Sequence, residues 1–284
     1  MLMQRLKLIS ILFLLLLYVG CQSRKEVQTG KIDKNVNEFL EKMTLEEKID
    51  QMSMIDISTI MRRVEPGGIF YGPYIEPNVP DEDSLQKYIV EYGIGSIFNV
   101  GPHGYTTSEW YEYLKEIQEY AMNRTRLGIP VIYGVDAMHG ASLTVGATIF
   151  PQQLAMASTW NPGLVEKMAQ ITAYEMRASN LPLTFGPGLD LGKHPLWSRL
   201  SETYGEDIFL AASLAKKSVD GLEGLDNNIS DKNKIASCIK HFIAYGFPVT
   251  GKDRTPAWIP EHYVGNILCL PLFSTFKVAR IPYC

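Results

Sequence analysis

Apolar and polar positions follow two periods along the chain, and the order of the resulting segments predicts the fold class. Four short apolar runs have the character of buried strands; they occupy residues 94–100, 129–135, 181–191 and 235–244. Three longer segments repeat apolar residues at helical spacing; they occupy residues 108–122, 161–179 and 208–222. Strands that alternate with helices, without an internal repeat, predict an α/β fold with a parallel sheet and crossover helices.

Helix starts are marked by capping residues. Thr44 and Glu47 have the spacing of a capping box, with apolar residues following at helical intervals. Asn161 and Pro162 predict an N-cap followed by proline at the first helical position. A last helical pattern covers residues 263–278.

The first 36 residues differ from the rest of the chain. Arg5 and Lys7 precede an apolar run over 8–19, which is short for a bilayer span and matches a signal peptide. Cys21 follows Gly20, as in a bacterial lipobox. We therefore predict a lipoprotein-type signal peptide over 1–20 with Cys21 as the lipidated first residue; an ordinary signal peptide with an incidental cysteine is the alternative.

This N-terminus also predicts location and organisation. Residues 21–36 are polar and predict a tether to a domain over 37–284. Gln22 after the cysteine favours sorting to the outer membrane. We expect export to the bacterial periplasm or outer membrane, with the membrane contacted only through the lipid anchor.

Composition excludes several classes of protein. Hydrophobic residues make up 46% and charged residues 20% of the chain, which excludes a disordered protein. Its net charge of −4 offers no electrostatic footprint for nucleic acid. Cys238, Cys269 and Cys284 are odd in number and far apart, so neither a disulfide framework nor a metal site is expected. Cys238 is predicted to be a small buried hydrophobe.

Polar residues collect where predicted strands end, which is the catalytic face of a (β/α) barrel. They fall in three blocks of sequence. The blocks are Gly134-Val-Asp-Ala-Met-His-Gly140, residues 189–207 with Trp197-Ser-Arg-Leu-Ser-Glu202 at their centre, and Lys240-His-Phe-Ile-Ala-Tyr-Gly246 followed by Gly251-Lys-Asp-Arg-Thr-Pro256. No glycine-rich phosphate-binding loop follows a strand, so no nucleotide cofactor is expected.

Together the three blocks resemble glycoside hydrolase family 3, of the β-glucosidase and exo-β-glucanase type. The resemblance runs from about Val36 to about Leu272. It implies a (β/α) TIM-type barrel, of which this chain holds the N-terminal portion only. It also implies hydrolysis of terminal β-D-glucosyl residues from β-glucans or oligosaccharides by a retaining mechanism, without metal or cofactor. Glucose and xylose are both compatible with the blocks.

The resemblance assigns site residues one by one. Asp136 matches the carboxylate that holds hydroxyls of the terminal sugar, and Arg199, Lys240 and His241 match the cations that hold others. Glu202 matches a carboxylate behind them that orients these cations. Each has a structural alternative: Asp136 and Asp190 as turn or helix caps, Arg199 with Glu202 as a helix-start ion pair, His241 as a core histidine, Trp197 as core rather than sugar platform, and His139 as a structural partner in its turn.

The chain also departs from the family. A retaining glycosidase needs a nucleophile and an acid/base, and no residue here matches the family's nucleophilic aspartate, so no catalytic residue is assigned. The resemblance fades after Leu272, and we expect an enzyme cut short by truncation or a frame change. A catalytically dead sugar-binding remnant is the alternative.

Two other interpretations of the blocks are weaker. The loop over 243–249 lacks the histidine that serves as acid/base in the β-N-acetylglucosaminidase branch, which favours a glucosidase. A metal-dependent barrel hydrolase using Asp136, His139 and His241 is less favoured, because the chain has no H-x-H pair.

Overall fold

The structure is a computed structural model, and it describes residues 30–62, 79–101, 103–225 and 228–264. The predicted signal peptide over 1–20, Cys21 and nearly all of the predicted helix over 263–278 lie outside these residues. No helix within the described ranges is long and apolar enough to cross a membrane. The chain divides into two compact units, Met1–Lys48 and Ile49–Cys284.

The described part of the first unit is helical. Helix α1 spans Gly30–Lys42, so it begins within the segment predicted as a tether. The Thr44 backbone N–H donates to Glu47 Oε2 at 2.9 Å, and the Glu47 N–H donates to Thr44 Oγ1 at 3.2 Å. This reciprocal pair is the predicted capping box, and helix α2 follows it over Leu45–Gln51.

The second unit is built on a parallel sheet whose five described strands lie in chain order. The strands are β1 Met54–Asp56, β2 Ser96–Phe98, β3 Ile132–Val135, β4 Leu183–Thr184 and β5 Ala236–Ser237. The predicted α/β class is confirmed. Four of these strands lie inside the predicted apolar runs, and β1 is an addition to the prediction.

Helices follow the strands, as crossover connections require. They are α3 Glu82–Leu85, continued by a π-helical turn over Gln86–Glu91, α4 Thr107–Arg124, α5 Gln153–Ala157, α6 Pro162–Ala178, α7 Ile208–Glu223 and α8 Glu261–Tyr263, with 3₁₀ turns at Ile57–Thr59 and Leu200–Glu202. Helices α4, α6 and α7 confirm the three helical predictions. The Asn161 side chain caps α6 by accepting the Leu164 N–H at 3.1 Å.

The two faces of the sheet bury different side chains, because neighbouring residues of a strand point to opposite sides. One face carries the cluster of Leu183, Phe185, Ala236 and Cys238, against which Phe98 packs. The other face belongs to the main core, which it shares with the helices; its members there include Ile97, Tyr133 and Val135.

Two residues of the first face are specified by close packing. A Cβ at Gly134 would lie 2.6 Å from the ring of Phe185, so a larger residue does not fit beside it. Cys238 is 2% exposed, as predicted, but it is disulfide-bonded. The expectation of no disulfide is therefore wrong for this cysteine, whose partner lies outside the described residues.

Candidate functional site

Strand pairing brings Asp136 and Lys240 together across more than a hundred residues of sequence. Asp136 directly follows the last residue of β3. Beyond β4 and β5 a parallel bridge joins Gly188 to Lys240, and the Leu189 N–H donates to the Lys240 carbonyl at 2.6 Å. The Lys240 ammonium then donates to Asp136 Oδ1. The ion pair lies at the carboxyl ends of two strands, where barrel sites are built.

Arg199 and Glu202 form a second ion pair beside it. Arg199 Nε donates to Glu202 Oε1 at 2.9 Å and Nη2 donates to Oε2 at 2.6 Å. These bidentate hydrogen bonds raise the pKa of Arg199 above its ordinary value. Partial burial opposes the ionisation of Glu202, but the hydrogen bonds and charge of Arg199 outweigh it and lower the pKa of Glu202. Both groups are charged, and the pair spans a 3₁₀ turn as the helix-start alternative described.

His241 lies behind Arg199 and is held by a buried carboxylate. Its Nδ1 is 2.6 Å from Oδ2 of Asp190, which is 8% exposed. The carboxylate oxygen accepts, so Nδ1 is the donor in this contact. Nε2 lies 3.4 Å from Arg199 Nη1, and because a guanidinium nitrogen only donates, Nε2 accepts from it. Asp190, expected to cap a turn, is thus the partner of His241.

A further carboxylate, Asp253, joins the segment of Trp197 to that of Tyr245. Asp253 Oδ1 accepts from Trp197 Nε1 at 2.9 Å, and Oδ2 accepts from the Tyr245 hydroxyl at 2.9 Å. Burial opposes ionisation of Asp253, but these two hydrogen bonds lower its pKa. Trp197 is 3% exposed, which makes it a core residue rather than a sugar platform.

The two ion pairs and Asp253 line one cavity of about 470 Å³. Its lining consists of Asp136, Met138, His139, Gln152, Arg199, Glu202, Lys240, Asp253 and Arg254. Three carboxylates and three cations are among them, so their formal charges cancel. His139 is anchored by its Nδ1, 3.1 Å from the Phe150 carbonyl, which agrees with a structural role in its turn. Such a charge-balanced, polar cavity suits an uncharged ligand with many hydroxyl groups.

A larger cavity of about 670 Å³ runs along α4, between its tyrosines and its glutamates. None of its lining residues belongs to the three sequence blocks. Its charged groups lie mainly on successive turns of one helix, which is typical of a solvated helix face. Within the described ranges no group of three or more histidine, cysteine, aspartate or glutamate residues could hold a metal ion.

The structure places four of the five predicted site residues around the cavity: Asp136, Arg199, Glu202 and Lys240. His241 contacts Arg199 from outside that lining. Sequence reasoning gave no site role to Tyr245, Gln152 or Arg254. Tyr245 lies within the Lys240–Gly246 block and Arg254 within the Gly251–Pro256 block. Membership of these blocks is the sequence signal that could have identified both residues.

Comparison with known proteins decides the family. The family model described as the glycosyl hydrolase family 3 N terminal domain matches residues 44–271. The chain belongs to glycoside hydrolase family 3. The domain of this family is a TIM-type barrel, and the strand and helix order agrees with it.

Relatives within family 3 carry glycosidase names. A lysosomal beta glucosidase of Dictyostelium discoideum is 34% identical over 253 residues, covering 85% of this chain and 29% of that protein. A periplasmic beta-glucosidase of Salmonella typhimurium is 28% identical over 221 residues, covering 78% and 24%. The chain spans less than a third of the length of these two curated relatives.

A solved family 3 structure has the same fold. The exo-1,3/1,4-beta-glucanase of a Pseudoalteromonas species superimposes with a TM-score of 0.75 at 25% identity. The match covers 90% of this chain and 30% of that one.

Proposed function

We propose that this chain builds the hydroxyl-binding part of a β-glycosidase site that takes terminal β-D-glucosyl residues of β-glucans or oligosaccharides. The observation that supports this most directly is the Asp136–Lys240 ion pair beside the Arg199–Glu202 pair in one charge-balanced cavity. Neighbouring sugar hydroxyls both donate and accept, and they match a surface on which carboxylates and cations alternate.

Each side chain has its own role in the proposed binding of the sugar. Asp136 uses only Oδ1 on Lys240 within the described contacts, so Oδ2 accepts a sugar hydroxyl. Lys240 has three N–H donors and gives one to Asp136, leaving donors for the same sugar. Arg199 contributes chiefly charge and its remaining Nη2 hydrogen. His241, whose Nδ1 donates to Asp190, steadies Arg199 through Nε2 and thereby acts on the sugar through the guanidinium.

Hydrolysis needs more than these contacts. The retaining route requires a carboxylate that attacks the anomeric carbon and a group that protonates the leaving oxygen. Contacts to hydroxyls alone stabilise ground and transition states alike and accelerate little. The three cavity carboxylates are already engaged by Lys240, Arg199, and the Trp197–Tyr245 pair. This engagement favours the second candidate, a chain that binds sugar without hydrolysing it.

The test compares the affinity of the wild-type chain and of the Asp136→Asn variant for methyl β-D-glucoside, measured by NMR titration. Loss of the charge-assisted hydrogen bonds removes about 1.5–3 kcal/mol, so Kd should rise about tenfold or more. Asp231→Asn, in a surface turn outside the cavity lining, is the matched control. A rise in Kd of less than threefold would remove Asp136 from the site. Release of nitrophenol from an aryl β-glucoside, measured in parallel, separates the hydrolase from the sugar-binding candidate.

We further infer that the protein is exported as a lipoprotein, with signal peptide 1–20, lipidated Cys21, a tether over 21–36 and the barrel domain over 37–284. The charged and apolar N-terminal pattern supports this, as does the periplasmic name of the Salmonella relative. The disulfide at Cys238 fits the same location, because disulfides persist in exported proteins and are rare in the cytosol.

A further inference from the structure

Asp253, in the Gly251–Pro256 block, connects two of the segments around Arg199. Its two carboxylate oxygens accept one hydrogen bond each, from the Trp197 indole and from the Tyr245 hydroxyl, both at 2.9 Å. Trp197 is two residues before Arg199, and Tyr245 is five residues after Lys240. One carboxylate therefore ties the segment that carries the guanidinium to the segment that carries the ammonium.

The Tyr245 hydroxyl group links Asp253 to Arg199. Its hydroxyl has a single proton, which faces Asp253, so its lone pairs are left for Arg199 Nη1 at 3.3 Å. The ring is packed against Trp197, with centroids 5.3 Å apart, and against His241 at 4.4 Å. The guanidinium carbon of Arg199 lies 5.4 Å from the ring centroid. The phenol thus has one orientation, and its direction of hydrogen bonding is set by Asp253.

Three side chains contact the Arg199 guanidinium: Glu202 from its own turn, and Tyr245 and His241 from the segment that follows β5. Glu202 grips Nε and Nη2, but it is three residues away on the same 3₁₀ turn and moves with Arg199. Tyr245 grips Nη1 from the segment that follows β5. Tyr245, together with His241 Nε2 at 3.4 Å from the same Nη1, fixes the guanidinium relative to Lys240 and Asp136.

We propose that Asp253 is a positioning residue for the sugar site: through Tyr245 it sets where the Arg199 guanidinium lies relative to the Asp136–Lys240 pair. The proposal rests on the proposed function in one respect, namely that Arg199 contributes to sugar binding. Asp253 acts through Tyr245 and Trp197, since each of its oxygens accepts a hydrogen bond from one of these two donors.

The test is a double-mutant cycle on the affinity for methyl β-D-glucoside. Asp253→Asn keeps the size of the side chain but replaces one acceptor by a donor, so Tyr245 can no longer direct its lone pairs at Arg199. We expect Kd to rise about tenfold in the wild-type background and less than twofold in an Arg199→Lys background. Tyr245→Phe, which keeps the ring, should reproduce the loss and add little to Asp253→Asn. Lys252→Ala, in the same loop and outside the cavity lining, should leave Kd unchanged.

A second measurement tests, in the absence of sugar, whether Asp253 positions Arg199. In ¹⁵N NMR spectra of the full chain, the Nη1 hydrogens of Arg199 report whether Tyr245 immobilises the guanidinium, and the Trp197 indole reports its bond to Asp253. We expect Asp253→Asn and Tyr245→Phe both to weaken the protection of the Arg199 Nη1 hydrogens from exchange with water. A shift of the Trp197 signal with an unchanged Arg199 signal would mean that Asp253 has a structural role only.

The outcomes separate this proposal from the one it rests on. Absence of sugar binding by the wild-type chain contradicts the proposed function, while the NMR signals still decide whether Asp253 positions Arg199. An equal loss of affinity from Asp253→Asn in both backgrounds would overturn the positioning role and place Asp253 in direct contact with the sugar. If Asp253→Asn does not fold, Tyr245→Phe carries the same cycle with Arg199→Lys.

Discussion

Glu202 holds its charge against the burial that opposes it, because its two oxygens face the two donors of one guanidinium. This carboxylate stabilises the fold most while it is ionised. Its pKa in the folded chain lies below its ordinary value. The stability that it contributes is therefore complete above the unfolded pKa of about 4.3 and is lost as the pH falls through the lower folded pKa.

The substitution Glu202→Gln tests this coupling. We expect the urea midpoint of the wild-type chain to fall more steeply than that of the variant between about pH 5 and pH 3, because only the wild type must protonate this carboxylate. At pH 7 the variant should be the less stable of the two. Glu206→Gln is the control, since this side chain is 72% exposed and its ion pair with Lys193 spans 3.6 Å in solvent. Parallel pH profiles of wild type and Glu202→Gln would contradict the argument.

At the scale of the elements, the approach of β3 to β4 depends on the absence of a side chain at Gly134. Gly134 pairs with Leu183, and the ring of Phe185 occupies the space that a Cβ would enter. The same strand ends at the residue before Asp136, so packing at this point also determines where the first carboxylate of the cavity lies.

Gly134→Ala should therefore destabilise the fold by about 1–3 kcal/mol, as overpacking of a core does. Urea unfolding measures the change, and a second substitution, Phe185→Leu, should recover part of it by making room. Gly163→Ala is the matched control, because a Cβ there meets only the Asn161 side-chain oxygen, at 3.4 Å, within the first turn of α6. An equal effect of the two glycine substitutions would show that backbone freedom, and not the contact with Phe185, decides.

The hydrophobic pattern predicted where the strands lie better than it predicted how long they are. The run over 181–191 holds only the two strand residues Leu183–Thr184, because Pro187 has no N–H to give to a ladder. Strand β1 was not predicted, since three residues directly after a helical pattern show no period of their own. The bridge between Lys240 and Gly188 comes from tertiary pairing beyond both strands, which no local pattern indicates.

The candidate site was predictable where its residues adjoin strand ends or match the family blocks, as Asp136 and Lys240 do. The bond between Trp197 and Asp253 joins residues 56 apart, and their spacing in the sequence gives no sign of the contact. The same holds for Asp190 and His241, which are 51 residues apart. The odd number of cysteines argued against a disulfide framework, yet a single bridge needs only two cysteines. The disulfide at Cys238 was therefore not predicted.

At the scale of the whole molecule, the proposed lipid anchor would decide where the cavity works. We expect the wild-type protein, expressed with its own N-terminus in a Gram-negative host, to be recovered with membranes. Cys21→Ala should leave an unprocessed or soluble species, because lipidation at this residue is what retains the mature chain. Membrane fractionation and intact mass measure both effects, and Ser23→Ala is the matched control two residues on. A soluble wild-type product with an unmodified N-terminus downstream of Cys21 would contradict the anchor.

The cancellation of charge around the cavity has a consequence for how a sugar arrives. Three carboxylates and three cations within one cavity produce a field that fades over a short distance, so it does not draw ligands from the bulk solution. Dissolved ions therefore have little to screen, even at about 1 M ionic strength, where the Debye length is about 3 Å. Capture of a neutral glycoside by this cavity would proceed alike in fresh water and in brine, which suits the exported location that we propose.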